Sequence, residues 1–218
     1  MINSDFIIVL AWPEGETTAA GAWYDSFCAT NGKYRVGHSA LILINSENKE
    51  LLYFDFGRYH TPTGFGRVRD KETDPDIGIP ISAEIEDNRI KNIEEILVHT
   101  KNKKANHGEG KLYASVLKNV NFISSYKFAK KIQEKGIIPY GPFVPKGSNC
   151  SRFVSATIRK SNPSLIKNLR LQFPFSLSPS PKRNVSISNN NYYVIEKNKF
   201  EKIKRNKING YFRGIERK

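Results

Sequence analysis

The chain has 218 residues, of which 39% are hydrophobic, 26% charged and 11% aromatic. That length and balance suit a chain that buries a real core and exclude wholesale disorder. No stretch approaches the roughly 18 uninterrupted apolar residues of a membrane-spanning helix. The net charge of +14 is unevenly placed: residues 1–100 hold 9 Lys and Arg against 16 Asp and Glu, and residues 101–218 hold 26 against 5. A basic second half of this kind can attract nucleic acid or an anionic membrane. The bland alternative is biased genome composition that merely keeps the protein soluble, since no aromatic-basic RNA signature or zinc-finger spacing accompanies the charge.

In chain order, the first residues lack a basic leader region, and Pro13 and Glu14 stop the apolar run. No signal peptide is expected, and the expected location is cytoplasmic. FIIVLAW (6–12) reads as a buried strand. A helix is expected from Thr17 or Thr18 to about Thr30, with Ala19, Ala20, Trp23, Phe27 and Cys28 at helical spacing and Asn31-Gly32 as its stop. VGHSALILI (36–44) and ELLYFDFG (50–57) form a hairpin whose strands are apolar on both faces, which calls for a layer on each side of the sheet. Residues 58–76 read as a long loop.

A strand near 79–86 and a helix through Ile90, Ile93, Ile96 and Leu97 follow. Next come a strand over 112–117, a helix from Ser124 or Ser125 to about Lys135, a short strand at IIPY (137–140), and a helix from Cys150 to Lys160 that must stop before Pro163. After Phe175 the composition shifts. SLSPSPKRN is linker-like, and NVSISNNNYYVIEKN can add one strand. The expected organisation is an α+β domain over 1–175, with a largely antiparallel sheet packed against helices, and a basic extension over 176–218.

Several chemistries fail on spacing. His38, His60, His99 and His107 are scattered and no cysteines pair at ligand spacing, so no metal or other cofactor is expected. The Gly64 and Gly108 segments lack the remaining glycines of a phosphate loop, and no serine sits in a nucleophile elbow. What remains is a Cys/His arrangement. Cys150 follows Gly147-Ser148-Asn149 and falls in the first turn of a helix, where the dipole and free N–H groups favour a thiolate and can hold an oxyanion. The dipole supplies about 0.3–1 kcal/mol, so a neighbouring imidazolium must do most of the activation. The plain alternative is a small buried hydrophobe on the face of Val154, Thr157 and Ile158. Cys28 lies late in its helix and is assigned to packing; a Cys28–Cys150 disulfide is not expected without export.

His38 opens an apolar strand and needs partners if buried. A hairpin loop of two or four residues puts Asp55 on the same face, where its carboxylate can orient the imidazole. An odd count puts Asp55 on the other face and leaves His60 or Tyr53 as the orienter.

Gly37-His38-Ser39-Ala40 opening a strand, a second strand with a polar residue, and Asn149-Cys150-x-x-Phe153-Val154 opening a helix resemble the permuted NlpC-type branch of papain-like thiol enzymes. The lecithin:retinol acyltransferase group and the YiiX-like proteins belong to that branch. The AWPEG and YFDFGRYHTPTGFGRVR segments are similar to an uncharacterised bacterial family with the same order. The chain departs from the acyltransferase motif at Ser151 and Arg152. The resemblance implies a papain-like fold and a hydrolase or acyltransferase acting on an amide, ester or thioester, with Cys150 as nucleophile, His38 as base and Asp55 as orienter. Trp12, Tyr24 and the Arg58–Arg69 loop are candidates for lining the substrate cleft, and Tyr24 for donating to the oxyanion; the plain alternative for Arg67 and Arg69 is a solvated edge. Two other readings compete. One is a non-catalytic binding module that uses the basic half on nucleic acid or anionic membrane. The other is a secreted toxin or phage-associated enzyme exported without a cleavable signal.

Overall fold

The computed structural model describes residues 5–18, 26, 30–144, 146–172, 178–197, 199–206, 210 and 214–215. Among the described residues there are twelve strands: β1 (Asp5–Trp12), β2 (Glu16–Thr18), β3 (Lys33–Arg35), β4 (His38–Ile44), β5 (Leu51–Gly57), β6 (Phe65–Arg69), β7 (Ile85–Glu86), β8 (Arg89–Ile90), β9 (Leu112–Val120), β10 (Ile138–Pro139), β11 (Tyr192–Glu196) and β12 (Lys199–Ile203). The helices are α1 (Ile93–Asn102), α2 (Phe122–Gln133), α3 (Cys150–Lys160), α4 (Leu165–Gln172) and α5 (Pro181–Ser188). Eight strands form one sheet in the order β10-β6-β5-β4-β1-β9-β11-β12, with every pairing antiparallel. The architecture is α+β, built on a large antiparallel sheet.

Strand β1 shows why the first apolar run reads as it does. It lies between β4 and β9, and its side chains alternate between two buried faces. Ile7 and Val9 join Leu41, Leu43, Phe54 and Phe56 under Phe153, Val154 and Ile158 of α3. Phe6, Ile8, Leu10 and Trp12 join Ala40, Ile42 and Tyr53 against Ile96 and Leu97 of α1. A central strand covered on both sides has no polar face, so its sequence is a continuous apolar run.

Three expectations change. The helix expected from Thr17 begins instead as strand β2, paired with β3 through Thr17↔Tyr34; residues 19–25 and 27–29, with Trp23, Tyr24, Phe27 and Cys28, lie outside the described residues. The loop expected over 58–76 contains β6, which pairs with β5 at Asp55↔Arg69. Beyond 176 the described residues add to the core and to the sheet. Helix α5, capped by Ser180, places Val185 and Ile187 in the core, and β11 and β12 add two strands where one was expected. Helix α5 stays hidden in the sequence because its buried Lys182, Asn184, Ser186 and Ser188 mask the apolar pattern.

Candidate active site

The site forms at the end of the sheet where β1 finishes and β4 begins. Gly37 turns the chain into β4 at φ +67°, and a Cβ there would sit 2.5 Å from the Trp12 carbonyl oxygen, so only glycine fits. Its N–H donates to the Gly15 carbonyl at 2.9 Å. His38 then pairs with Trp12 across the ladder, and the two rings stack with centroids 5.7 Å apart. Trp12 is fully buried behind the imidazole. This cleft candidate therefore lies against the His38 ring, away from solvent.

The register of the β4–β5 hairpin decides what His38 meets. Ile44 pairs with Leu51, which leaves six residues, 45–50, between the last paired positions. The count is even, although longer than the two or four considered, so Ala40 faces Asp55 and Asp55 projects on the His38 side. His38 Nε2 lies 3.2 Å from Asp55 Oδ2. Tyr53, the fallback orienter, donates its hydroxyl to the same oxygen at 3.2 Å. His60 is exposed.

Asp55 is held a second time, by a residue whose part here sequence reasoning missed. Arg69, opposite Asp55 on β6, donates from Nε to Oδ1 at 3.0 Å and from Nη2 to Oδ2 at 2.6 Å. Its Nη2 also donates to the Ala105 carbonyl at 3.2 Å, and its guanidinium lies 3.4 Å from the centroid of the Tyr59 ring. Tyr59 presents an edge to His38 and stacks on His107. Asp55 is completely buried and Arg69 is 3% exposed. Burial alone would raise the Asp55 carboxyl; hydrogen bonds and charge from His38 and Arg69 outweigh it and hold the group below the usual carboxylate range.

Cys150 arrives from the opposite layer. It is the first residue of α3, whose N-cap Asn149 accepts the Arg152 N–H at 2.9 Å and donates to Ser178 Oγ at 2.7 Å. Phe153, Val154, Thr157 and Ile158 pin the helix against the sheet, and Cys150 is a free cysteine, 6% exposed. Because His38 is the first residue of β4, the thiol reaches the imidazole past the strand end. Burial would push the thiol up. Hydrogen bonding and charge from His38 overcome this, helped by the Ser39 backbone N–H and the Tyr140 hydroxyl, and the thiol falls below its ordinary range. His38 responds in kind: burial opposes its proton, but Asp55 and Cys150 together raise it to about 9. With Nε2 committed to Asp55, Nδ1 is the ring nitrogen left for the sulfur.

Tyr140 was expected only as part of a short strand. Its hydroxyl lies 4.0 Å from Cys150 Sγ, and its ring stacks on Phe56 at 5.7 Å and 3°. Arg58 sits over the Tyr140 ring, 5.6 Å from its centroid. Among the described residues, no group of three or more His, Cys, Asp and Glu side chains could hold a metal ion, and no helix is long and apolar enough to cross a membrane.

The arrangement has the parts of a thiol nucleophile with its base, and comparison with known proteins gives it a family. The family described as "Type VI secretion system effector TseH-like" matches residues 7–165. The chain belongs to that family. The matched span contains His38, Asp55, Arg69, Tyr140 and Cys150. A crystal structure of the type VI secretion system effector TseH is similar to the chain with a TM-score of 0.58, over 91% of this chain and 97% of that one. At 19% identity the likeness is one of fold. No curated protein matches the chain.

Proposed function

We propose that this TseH-like chain is a cysteine hydrolase or acyltransferase acting on an amide, ester or thioester, through a permuted NlpC-type, papain-like site. The observation that carries the reading is the 3.2 Å contact between His38 Nε2 and Asp55, made by a histidine that also hydrogen-bonds Cys150. A cysteine that only fills space does not need a buried imidazole and carboxylate beside it, because both cost free energy to bury.

In this mechanism His38 takes the Cys150 proton from Sγ onto Nδ1 and the thiolate attacks the substrate carbonyl carbon. The oxyanion is held by backbone N–H groups at the start of α3. The imidazolium returns the proton to the leaving amine, alcohol or thiol, which leaves an acyl-thioester on Cys150. His38 then deprotonates water or an acceptor amine, which attacks that thioester and frees the sulfur. Asp55 holds the imidazole in the tautomer with Nε2–H. Arg58 lines the approach beside Tyr140. Membership of a family described by type VI secretion supports export through that apparatus as the route out of the producing cell.

The test uses p-nitrophenyl acetate, an activated ester. Mass spectrometry should find an acetyl group on Cys150 at pH 6 in the wild-type protein and none in His38→Ala. Equal labelling of both proteins would remove the base from the mechanism.

One observation favours the binding-module reading. A groove of about 610 Å³ is lined by apolar Ile90, Val116, Tyr193 and Phe200 and by Arg89, Lys118 and Lys202, with Glu94 among them. Burial and the charges of Arg89 and Lys202 lower Lys118. Retention on anionic vesicles that survives Cys150→Ala and is lost in Lys118→Glu/Lys202→Glu would support that reading; no retention at low salt removes it.

A further inference from the structure

We propose that Arg69 is the fourth member of the site, the counter-cation that keeps the reactive thiolate–imidazolium–carboxylate cluster electrically neutral. The inference rests on the reading of Cys150 as a nucleophile, but it concerns a residue that touches no reacting atom. Arg69 acts through Asp55, as a positioning residue.

The argument is a count of charges in a closed space. In its reactive state the cluster holds two anions, the Asp55 carboxylate and the Cys150 thiolate, beside one cation, the His38 imidazolium. All three side chains are buried, with 0%, 6% and 9% exposure. A lone buried charge is expensive because water cannot solvate it, and the group responds by losing the charge. Without a second cation, either Cys150 would keep its proton or Asp55 would take one. Arg69 supplies that cation through two hydrogen bonds to Asp55, and at 3% exposure it is itself withdrawn from solvent.

Among the described residues, the other charged groups nearby are engaged elsewhere or stay neutral. On β6, Arg67 is spent on Asp74, with contacts of 2.6 and 2.7 Å. Asp70 is matched by Lys130 at 2.8 Å. His107, stacked on Tyr59, is shifted towards its neutral form by burial and by Arg69 itself. Tyr53, Tyr59 and Tyr140 are all raised well above their ordinary range, burial being the largest cause, and they stay neutral. Arg58 faces the Tyr140 ring rather than the carboxylate. The guanidinium is also fixed from outside, by the Ala105 carbonyl and the face of Tyr59, so it cannot swing away when the thiol changes charge.

A guanidinium in this place does more than orient. An amide at position 69 could still donate a hydrogen bond to Asp55 Oδ1, but it would leave the cluster one negative charge in excess. The two roles therefore separate by mutation. The experiment follows iodoacetamide alkylation of Cys150 against pH, resolved by peptide mass spectrometry so that Cys28 does not contribute. Thermal melts establish that each variant is folded.

Arg69→Gln should move the alkylation midpoint up by at least about one pH unit, roughly a tenfold loss of thiolate at fixed pH. Arg69→Lys, which keeps the charge and loses the fork, should stay within about half a unit of wild type. Should Arg69→Gln be unfolded, Arg69→Met is read in its place with the same expected shift. A wild-type midpoint no lower than that of a free thiol would sink the nucleophile reading. A low wild-type midpoint that Arg69→Gln leaves unmoved, or that Arg69→Lys raises as far as Arg69→Gln does, overturns the role of Arg69 alone.

Discussion

His38 and Asp55 project from neighbouring strands on one side because Ile44 pairs with Leu51. A slip of that pairing by one residue would point Asp55 at the other face of the sheet. Insertion of a single glycine between Glu47 and Asn48 lets the loop absorb the change and should leave turnover intact. Deletion of Leu52, inside β5, shifts the register and should abolish activity on p-nitrophenyl acetate. Equal activity in the two variants would contradict the register argument.

Asp55→Asn keeps the shape of the carboxylate and removes its charge. Asp55 is the main group holding the proton on His38, against burial that works the other way. The His38 titration, followed by NMR, should fall from about 9 to below its ordinary value of roughly 6.5. Turnover should drop about 10²-fold or more, the usual scale for losing acid–base catalysis. An unchanged histidine titration in this variant would show that Asp55 does not govern the imidazole.

The opposed shifts of His38 and Cys150 have a consequence for stability. His38 is raised on folding, so its contribution is complete below about 6.5 and is lost as pH climbs towards about 9. Cys150 is lowered, so its contribution is complete above the ordinary thiol range and is lost as pH falls. Between about 6.5 and 9 the native ring binds more proton than the unfolded chain, while the lowered sulfur binds less. The two effects oppose each other, and wild-type stability should change less with pH there than the histidine alone would make it. In Cys150→Ser only the histidine remains, and stability should decline with rising pH by at most about 1.4 kcal/mol per unit. Urea titrations across that range read the difference; parallel pH profiles for the two proteins would contradict it.

Gly37→Ala tests the turn that delivers His38. The backbone sits at φ +67° and the new methyl would meet the Trp12 carbonyl. A cost of about 1–3 kcal/mol is expected, read as a melting temperature lower by about 2–4 °C per kcal/mol in a chain of this size. A melting temperature within a degree of wild type would show that the turn is not strained by a side chain.

Much of this site could be read from the chain, and the parts that could not have physical reasons. Helix α3 is legible because Asn149 is a capping residue and positions 150, 153, 154, 157 and 158 share a buried face. The β4–β5 hairpin is legible from its apolar runs, but its register is not, since nothing local fixes the last paired residues. Strand β6 is hidden because FGRVR carries two arginines. Each is neutralised by a carboxylate distant in sequence, Arg67 by Asp74 and Arg69 by Asp55. Helix α5 is hidden for a similar reason: Asn184 bonds the Ser151 carbonyl and Lys182 lies over the Tyr113 ring, so polar residues sit where an apolar stripe is sought.

Tyr140→Phe separates proton chemistry from oxyanion binding. The hydroxyl lies 4.0 Å from Sγ and contributes least among the groups that lower the thiol. Its loss should move the alkylation midpoint by less than about half a pH unit. If the hydroxyl also donates to the developing oxyanion, turnover of p-nitrophenyl acetate should fall by about 10²-fold, the scale for one such donor. A large midpoint shift with full turnover would reverse that assignment.

The most direct measurement is the pH dependence of Cys150 alkylation in wild-type protein and in His38→Ala. An imidazolium partner predicts rapid alkylation that persists below about pH 7 in the wild type, and a midpoint at or above the free-thiol value of about 8.5 in the variant. Superimposable profiles for the two proteins would contradict the Cys150–His38 ion pair, and the catalytic reading with it.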